Sequence, residues 1–311
     1  MLSYRHSFHA GNHADVLKHT VQSLILQSLK AKDKAFAYID THAGAGCYDL
    51  QSKEMDKTGE YLEGINLLWK DSVPAGMQAY LDVLKTLNAD GELRHYPGSP
   101  MLAKELCRAQ DRLLLSELHP ADFVLLQELF NRDRRTQANK ADGFAQLKGA
   151  LPSLERRGVV LIDPPYELDH EYADVVKAVV DGIKRWATGT FAIWYPVVHS
   201  NDVDFLQRKL SSAGLPGTLQ IELNVLQANN RYGMTGSGMI VVNPPWKLEQ
   251  QMSELLPWLV DKLGQSPEAN FKLFNCQHLL RCAREGRLGQ QWGVLSFFSF
   301  VLGLEQDHRV D

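Results

Sequence analysis

Residues 159–166 read VVLIDPPY, a run of apolar side chains that stops at a carboxylate, two prolines and a tyrosine. Such a run suits a strand buried on both faces, and in an open parallel sheet ligands gather where such strands end. The chemistry is therefore expected at Asp163. Each prolyl ring fixes its φ and lacks an N–H, so Pro164 and Pro165 end the ladder and leave nearby carbonyls to face a ligand. The Asp163 carboxylate, the Pro164 carbonyl and the Tyr166 ring together suit a planar amine, whose two N–H donors meet two acceptors while its ring stacks. Asp163, Pro164 and Tyr166 are thus the catalytic candidates. The alternative is that the same tetrapeptide only ends a strand and covers the core edge with its tyrosine, so its surroundings have to decide.

Three further strand ends supply those surroundings. AFAYIDTHAGAG, residues 35–46, runs from apolar positions through Asp40 into a small-residue turn with Gly44 and Gly46. Glycines there let the backbone bend tightly and a ligand come close, as in nucleotide-binding βαβ units. The turn has neither the full GxGxxG of dinucleotide sites nor the GK[ST] of a phosphate loop. A nucleoside without a phosphate chain fits better, and S-adenosylmethionine is the commonest such cofactor; Asp40, His42 and Gly44 are expected near its methionine end. RLLLSELHP, residues 112–120, reads as another buried strand whose terminal Glu117 is placed to accept both ribose hydroxyls. KADGF, residues 140–144, closes a short strand with Asp142 and Gly143; Asp142 either accepts the adenine amine or is a plain turn residue.

The rest of the chain must position these groups. A polar, histidine-rich arm leads into a helix from Asp15, where Leu17, Val21, Leu24, Ile25 and Leu29 recur at helical spacing. Tyr4, Arg5, His6, Lys18 and His19 are expected to line a pocket or touch phosphate. His6, His9, His13 and His19 lack the paired spacing of strong metal motifs, so no metal is expected, with a metal-dependent hydrolase as the distant alternative. Residues 49–93 carry two helical patterns and no strand, one capped by Thr58 and one following Pro74, and read as a helical insertion. YPGSP, residues 96–100, is expected to turn into a helix over 101–109. Strands and helices then alternate until LQIELNVL and GMIVVNPPW come in succession, which predicts an antiparallel pair at one edge. The fold class is α/β: a doubly wound, mostly parallel sheet with that edge pair and a small inserted helical subdomain. NPPW, residues 243–246, nearly copies the first clamp but ranks second, because an edge hairpin strand points elsewhere. The expected division is 1–48 with 94–265 as the main domain, 1–14 as its arm, 49–93 as the insertion and 266–311 as a tail without assigned function.

A chain of 311 residues with 44% hydrophobic composition buries a full core, and a net charge of -4 gives no global pull towards nucleic acid. RNA binding would have to use local basic groups such as Arg134 and Arg135, Arg156 and Arg157, or Lys184 and Arg185. Four cysteines at spacings that match no zinc signature, no signal-like opening and no long apolar stretch point to a reduced, cytoplasmic protein without a membrane anchor.

Taken in order, DTHAGAG, SELHP, ADGF and DPPY resemble the adenine-N6 and cytosine-N4 amino-methyltransferases. YRHSFHAGNHADVLKH, GEYLEGI, YPGSP, GMTGSGMI and NPPWKLEQQM further resemble the large-subunit ribosomal RNA methyltransferase J family, over roughly residues 1–263. That resemblance implies a Rossmann-like, S-adenosylmethionine-dependent enzyme that methylates adenine 2030 of 23S ribosomal RNA; a monomer is expected. The resemblance implies a cofactor held by His19, His42, Ser99, Glu117, Asp142, Gly143 and Asp163, to which the reading of the arm and the glycine turn adds Lys18, Asp40 and Gly44. Tyr4 would face the RNA, with His6 and Tyr166, and Asp163 would be catalytic. The target base has to be unpaired or flipped out to reach such a clamp, which favours naked RNA or an assembly intermediate. A DNA-directed amino-methyltransferase is the near alternative, since the same clamp would serve it.

Overall fold

In the computed structural model, which describes residues 5–168, 170–198, 201–227 and 233–275 and Asp56 by its backbone alone, apolar runs become short strands under long helices. α1 (His13–Lys30) starts where the Asn12 side chain accepts from the N–H groups of Ala14 and Asp15, donors that a helix start leaves open. Then come β1 (Ala37–Asp40), β2 (Cys47–Asp49), α2 (Lys53–Thr58), α3 (Ile65–Leu68), α4 (Gln78–Leu87), β3 (His95–Pro97) and α5 (Ser99–Leu106). β4 (Arg112–Glu117), α6 (Pro120–Phe130), β5 (Thr136–Lys140), α7 (Gly143–Ala150), β6 (Gly158–Ile162), α8 (His170–Arg185) and β7 (Thr190–Val197) continue the alternation. α9 (Asn201–Ser212), β8 (Thr218–Asn224), β9 (Gly236–Val242), α10 (Leu248–Leu263) and β10 (Asn270–Asn275) complete the described chain.

Eight strands form one sheet in the order β10-β8-β9-β7-β6-β1-β4-β5, of which β7, β6, β1, β4 and β5 run parallel. Along β6, Val159 and Leu161 enter one core while Val160 and Ile162 enter the other, as period-two side chains do in a strand covered on both faces. α1, α4, α5 and α10 fill the first core, and α7, α8 and α9 the second. The sheet is therefore doubly wound, and its ligand crevice lies beyond the carboxyl ends of β6, β1 and β4. Residues His13 to Leu26 of α1 are all buried, because that helix lies on the sheet and against α4, α5 and α10.

The antiparallel strands sit at one edge as expected, with two differences. β9 inserts between β7 and β8, so the two strands before it in sequence never touch, and β10 adds an outer strand where no element was expected. YPGSP is not only a turn: Tyr96 and Pro97 pair with Tyr48 and Cys47 in a small β2–β3 ribbon, and the following helix starts at Ser99. Between those strands the chain is helical, but Thr58 ends α2 rather than capping it. Its hydroxyl donates to the Phe8 carbonyl, the Ile65 N–H donates to Gly11 O at 2.8 Å, and Glu60 accepts from Asn12 and pairs with His9. Glycine is required here, since a Cβ on Gly64 would stand 2.1 Å from the Gly11 carbonyl oxygen. This helical stretch thus holds the N-terminal arm against the body.

Candidate active site

At the carboxyl ends of β1, β4 and β6 the structure encloses a cavity of about 280 Å³, lined among others by His6, Lys18, His19, His42, Gly44 and Ser99 on one side. Glu117, Asp142, Gly143, Phe144, Asp163, Pro164 and Pro165 complete the wall. Glu117 ends β4 and is held by two backbone donors, Gly44 N at 2.7 Å and His119 N at 2.6 Å. Burial pushes its pKa up, and those two N–H groups oppose the push. Gly44 adopts φ +60, and a Cβ there would meet the Tyr48 hydroxyl at 2.3 Å, so only glycine lets this amide reach Glu117.

Asp142 caps α7, accepting at Oδ1 from Phe144 N and Ala145 N at 2.8 and 3.1 Å, and lines the cavity as well. Turn residue and wall residue are thus both true of it. Gly143 abuts the β1 loop: a Cβ would stand 2.0 Å from Thr41 O. His42 packs edge-on against Phe144 at 5.1 Å, and burial lowers its pKa to about 4. His19 bonds the Tyr96 hydroxyl through Nδ1 at 2.7 Å, and burial lowers its pKa to about 3. Its Nε2 is buried and has no hydrogen-bond partner among the described residues.

Asp163 is held by an ion pair. Its Oδ2 accepts from Lys18 Nζ at 2.6 Å, and Lys18 also pairs with Asp15 Oδ1 at 2.8 Å. Burial alone would lower the Lys18 pKa, but Asp15 and Asp163 outweigh it and raise it, so the ammonium stays charged. Burial would likewise raise Asp15, yet His6 and Lys18 outweigh it and hold this carboxyl well below its ordinary value. His6 reaches Asp15 Oδ2 at 2.9 Å from the arm, with its ring 5.2 Å from that of Tyr48.

A family model described as ribosomal RNA large subunit methyltransferase D, RlmJ, matches residues 33–273. The chain belongs to this family. It is 58% identical over 264 residues to ribosomal RNA large subunit methyltransferase J of Escherichia coli K12, a match spanning 85% of this chain and 94% of that one. The Haemophilus influenzae protein of the same name is 54% identical over 265 residues, with the same two shares. Among solved structures, protein LPL1258 of Legionella pneumophila superposes with a TM-score of 0.80 at 35% identity, covering 86% of this chain and 98% of that one. Family membership makes the chain a methyltransferase, and the family's methyl donor is S-adenosylmethionine.

Two expected site residues are placed elsewhere. Asp40 is wholly buried behind the wall, where its Oδ2 accepts from Tyr38 and Ser99 hydroxyls at 2.7 Å and its Oδ1 from His42 N at 3.2 Å. It therefore holds Ser99 and the His42 loop rather than lining the cavity. Tyr166 does not line it either: its hydroxyl donates to Trp194 O at 2.7 Å and its ring packs 4.5 Å from Tyr172. At φ +53 the backbone of Tyr166 turns the side chain back into the core. Tyr4 lies outside the described residues.

The arm histidines separate to different partners, His6 to Asp15, His9 to Glu60 and His19 to Tyr96. Asn243 of the second clamp sits at the opposite end of the strands, where its amide bonds the Ala187 and Gly189 carbonyls at 2.9 Å. β9 runs against its neighbour β7, so its carboxyl end meets the start of that strand. The basic pairs are partly occupied as well: Arg135 binds Asp133 and the Lys104 and Cys107 carbonyls, and Arg157 binds the Leu29 and Lys34 carbonyls. Asp15 was not anticipated as a site residue. Its signal was an acid three residues before Lys18 on one helix, a spacing that brings the two side chains together.

Proposed function

We propose that this enzyme methylates the exocyclic N6 amine of one adenine in 23S ribosomal RNA, adenine 2030 by family resemblance, with that amine held by Asp163 and the Pro164 carbonyl. The observation that carries the reading is the single cavity in which the Glu117 and Asp142 carboxylates share a wall with Asp163 and Pro164. The residues fit the donor. Glu117 suits the ribose hydroxyls, Asp142 the adenine amine, the Phe144 ring an adenine face, and the His19 Nε2, without a hydrogen-bond partner among the described residues, a polar group of the methionine end. When bound, S-adenosylmethionine supplies an electrophilic sulfonium methyl.

Adenine N6 is a poor nucleophile because its lone pair is delocalised into the ring. Asp163 and the Pro164 carbonyl accept its two N–H bonds, favour a pyramidal nitrogen and aim the freed lone pair into the cavity. Asp163 then accepts the proton that the methylated amine releases. Tyr166 contributes by fixing the turn that presents Pro164 and Pro165. RNA contact is assigned to His6, which lines the cavity, and by family resemblance to Tyr4; a flipped base costs a few kcal/mol to unstack.

Methyl transfer from labelled donor to 23S ribosomal RNA lacking the modification tests this reading. Wild type should label one adenine N6, on naked RNA in preference to intact subunits, and Asp163→Ala should lower the rate by roughly a hundredfold or more. Label on DNA alone, or undiminished label with the Asp163→Ala enzyme, would overturn it.

A further inference from the structure

We propose that Asp15 is a positioning residue for methyl transfer, joining the N-terminal arm to the carboxylate that holds the amine; this rests on the functional reading above. Asp15 lies in the first turn of α1 and is 1% exposed. Its Oδ2 accepts from Gly11 N at 2.8 Å and meets His6 Nε2 at 2.9 Å. Its Oδ1 stands 2.8 Å from Lys18 Nζ, which stands 2.6 Å from Asp163 Oδ2. His6, Asp15, Lys18 and Asp163 therefore form an unbroken line from the arm to the clamp.

Two carboxylates share one ammonium in that line. A lone Lys18–Asp163 pair would be neutral, and a carboxylate fully neutralised by its partner is a weaker acceptor for the N–H groups of an incoming amine. With Asp15 taking part of the ammonium, Asp163 keeps more of its own negative charge beside the nitrogen that turns positive as it gains a methyl group. Such a charge stabilises the transition state more than the ground state, so its removal lowers kcat more than it raises KM. The same carboxylate fixes the arm. Gly11 adopts φ +80 and offers its N–H to Asp15, so the bend that brings His6 over the cavity is anchored on the side chain that orients Lys18.

Asp15→Asn keeps the shape and removes the charge. With unmodified 23S ribosomal RNA as substrate, kcat should fall by roughly tenfold or more, while KM for RNA and Kd for S-adenosylmethionine stay within about threefold. Lys18→Met in the Asp15→Asn background should cost no more than the worse single substitution, since both act on Asp163 through one contact. Unchanged kcat, a loss confined to KM, or losses that multiply in the double variant would each make Asp15 a structural residue and sink the proposal. Should Asp15→Asn fail to fold, the cycle of His6→Gln with Lys18→Met carries the test. Both residues pair with Asp15, so coupled losses support the proposal and independent losses overturn it. A wild-type enzyme that puts no methyl group on the RNA overturns the functional reading; an active wild type with an equally active Asp15→Asn overturns only this inference.

Discussion

Three histidines, two of them lining the cavity, work without charge. Burial holds His13 and His42 at about 4 and His19 at about 3, so at neutral pH each is a neutral ring. In the unfolded chain the same rings bind protons below about 6.5. Between pH 6.5 and 4 the unfolded state therefore holds more protons than the folded one, and stability should fall as the pH is lowered through that window. Denaturation followed across it should lose a slope of up to about 1.4 kcal/mol per pH unit for each such ring removed, for example with His13→Gln. An unaltered slope would mean that the ring charges freely in place. His9 runs the other way. Its bond to Glu60 raises its pKa, so its contribution is full below 6.5 and disappears as the pH climbs through the raised value.

At this scale, what could be read in advance was what strand ends decide. Asp163 and Glu117 follow directly from where an apolar run stops, and Asp142 and Gly143 from the turn after a short, half-exposed strand, all local properties. Asp40 and Tyr166 were misplaced because the direction of a side chain at a strand end depends on distant partners, Ser99 for one and Trp194 for the other. Ser99 came only from family resemblance, since a serine at a helix start has too many ordinary uses.

Among elements, α7 has little room to move at its start. Its first residue touches the β1 loop, and Gly143→Ala would drive a Cβ into the Thr41 carbonyl. Because the neighbour is backbone, the helix start must retreat, taking Asp142 and Phe144 with it. We expect a stability loss of about 1–3 kcal/mol and a weakening of S-adenosylmethionine binding by tenfold or more, read by thermal melting and calorimetry. Binding left intact would show that the cofactor does not use this wall. The long helices were legible because their apolar residues recur over several turns. β2 and β3 were not, being three residues each, and neither was β10, whose residues are exposed or only half-buried and so carry no clean alternation. Lys272 of β10 pairs with buried Glu222 on β8 at 2.8 Å, which ties this outer strand to its neighbour.

For the molecule as a whole, sequence order and spatial order part company at β9. Consecutive strands gave the right class of edge, but nothing local says that the later strand enters between the two earlier ones. The cavity is lined by residues that all come before 175, yet α1, which brings Lys18 and His19 to it, packs on β9 at 236–242. A chain ending at residue 233 should therefore bind S-adenosylmethionine at least tenfold more weakly and melt without a sharp transition, though it keeps every cavity residue. Full binding by that fragment would show that α1 docks without its strand.

The place of β9 also dictates a sequence of events at birth. As the chain leaves the ribosome, β7 emerges with one flank bare, and β8 cannot close it because the intervening strand has not yet been made. For about forty residues of synthesis the nascent protein presents an open apolar border, a surface that invites misassociation. Catalytic competence then arrives late and abruptly: the first helix to be translated waits for nearly the last strand before it has a floor to stand on.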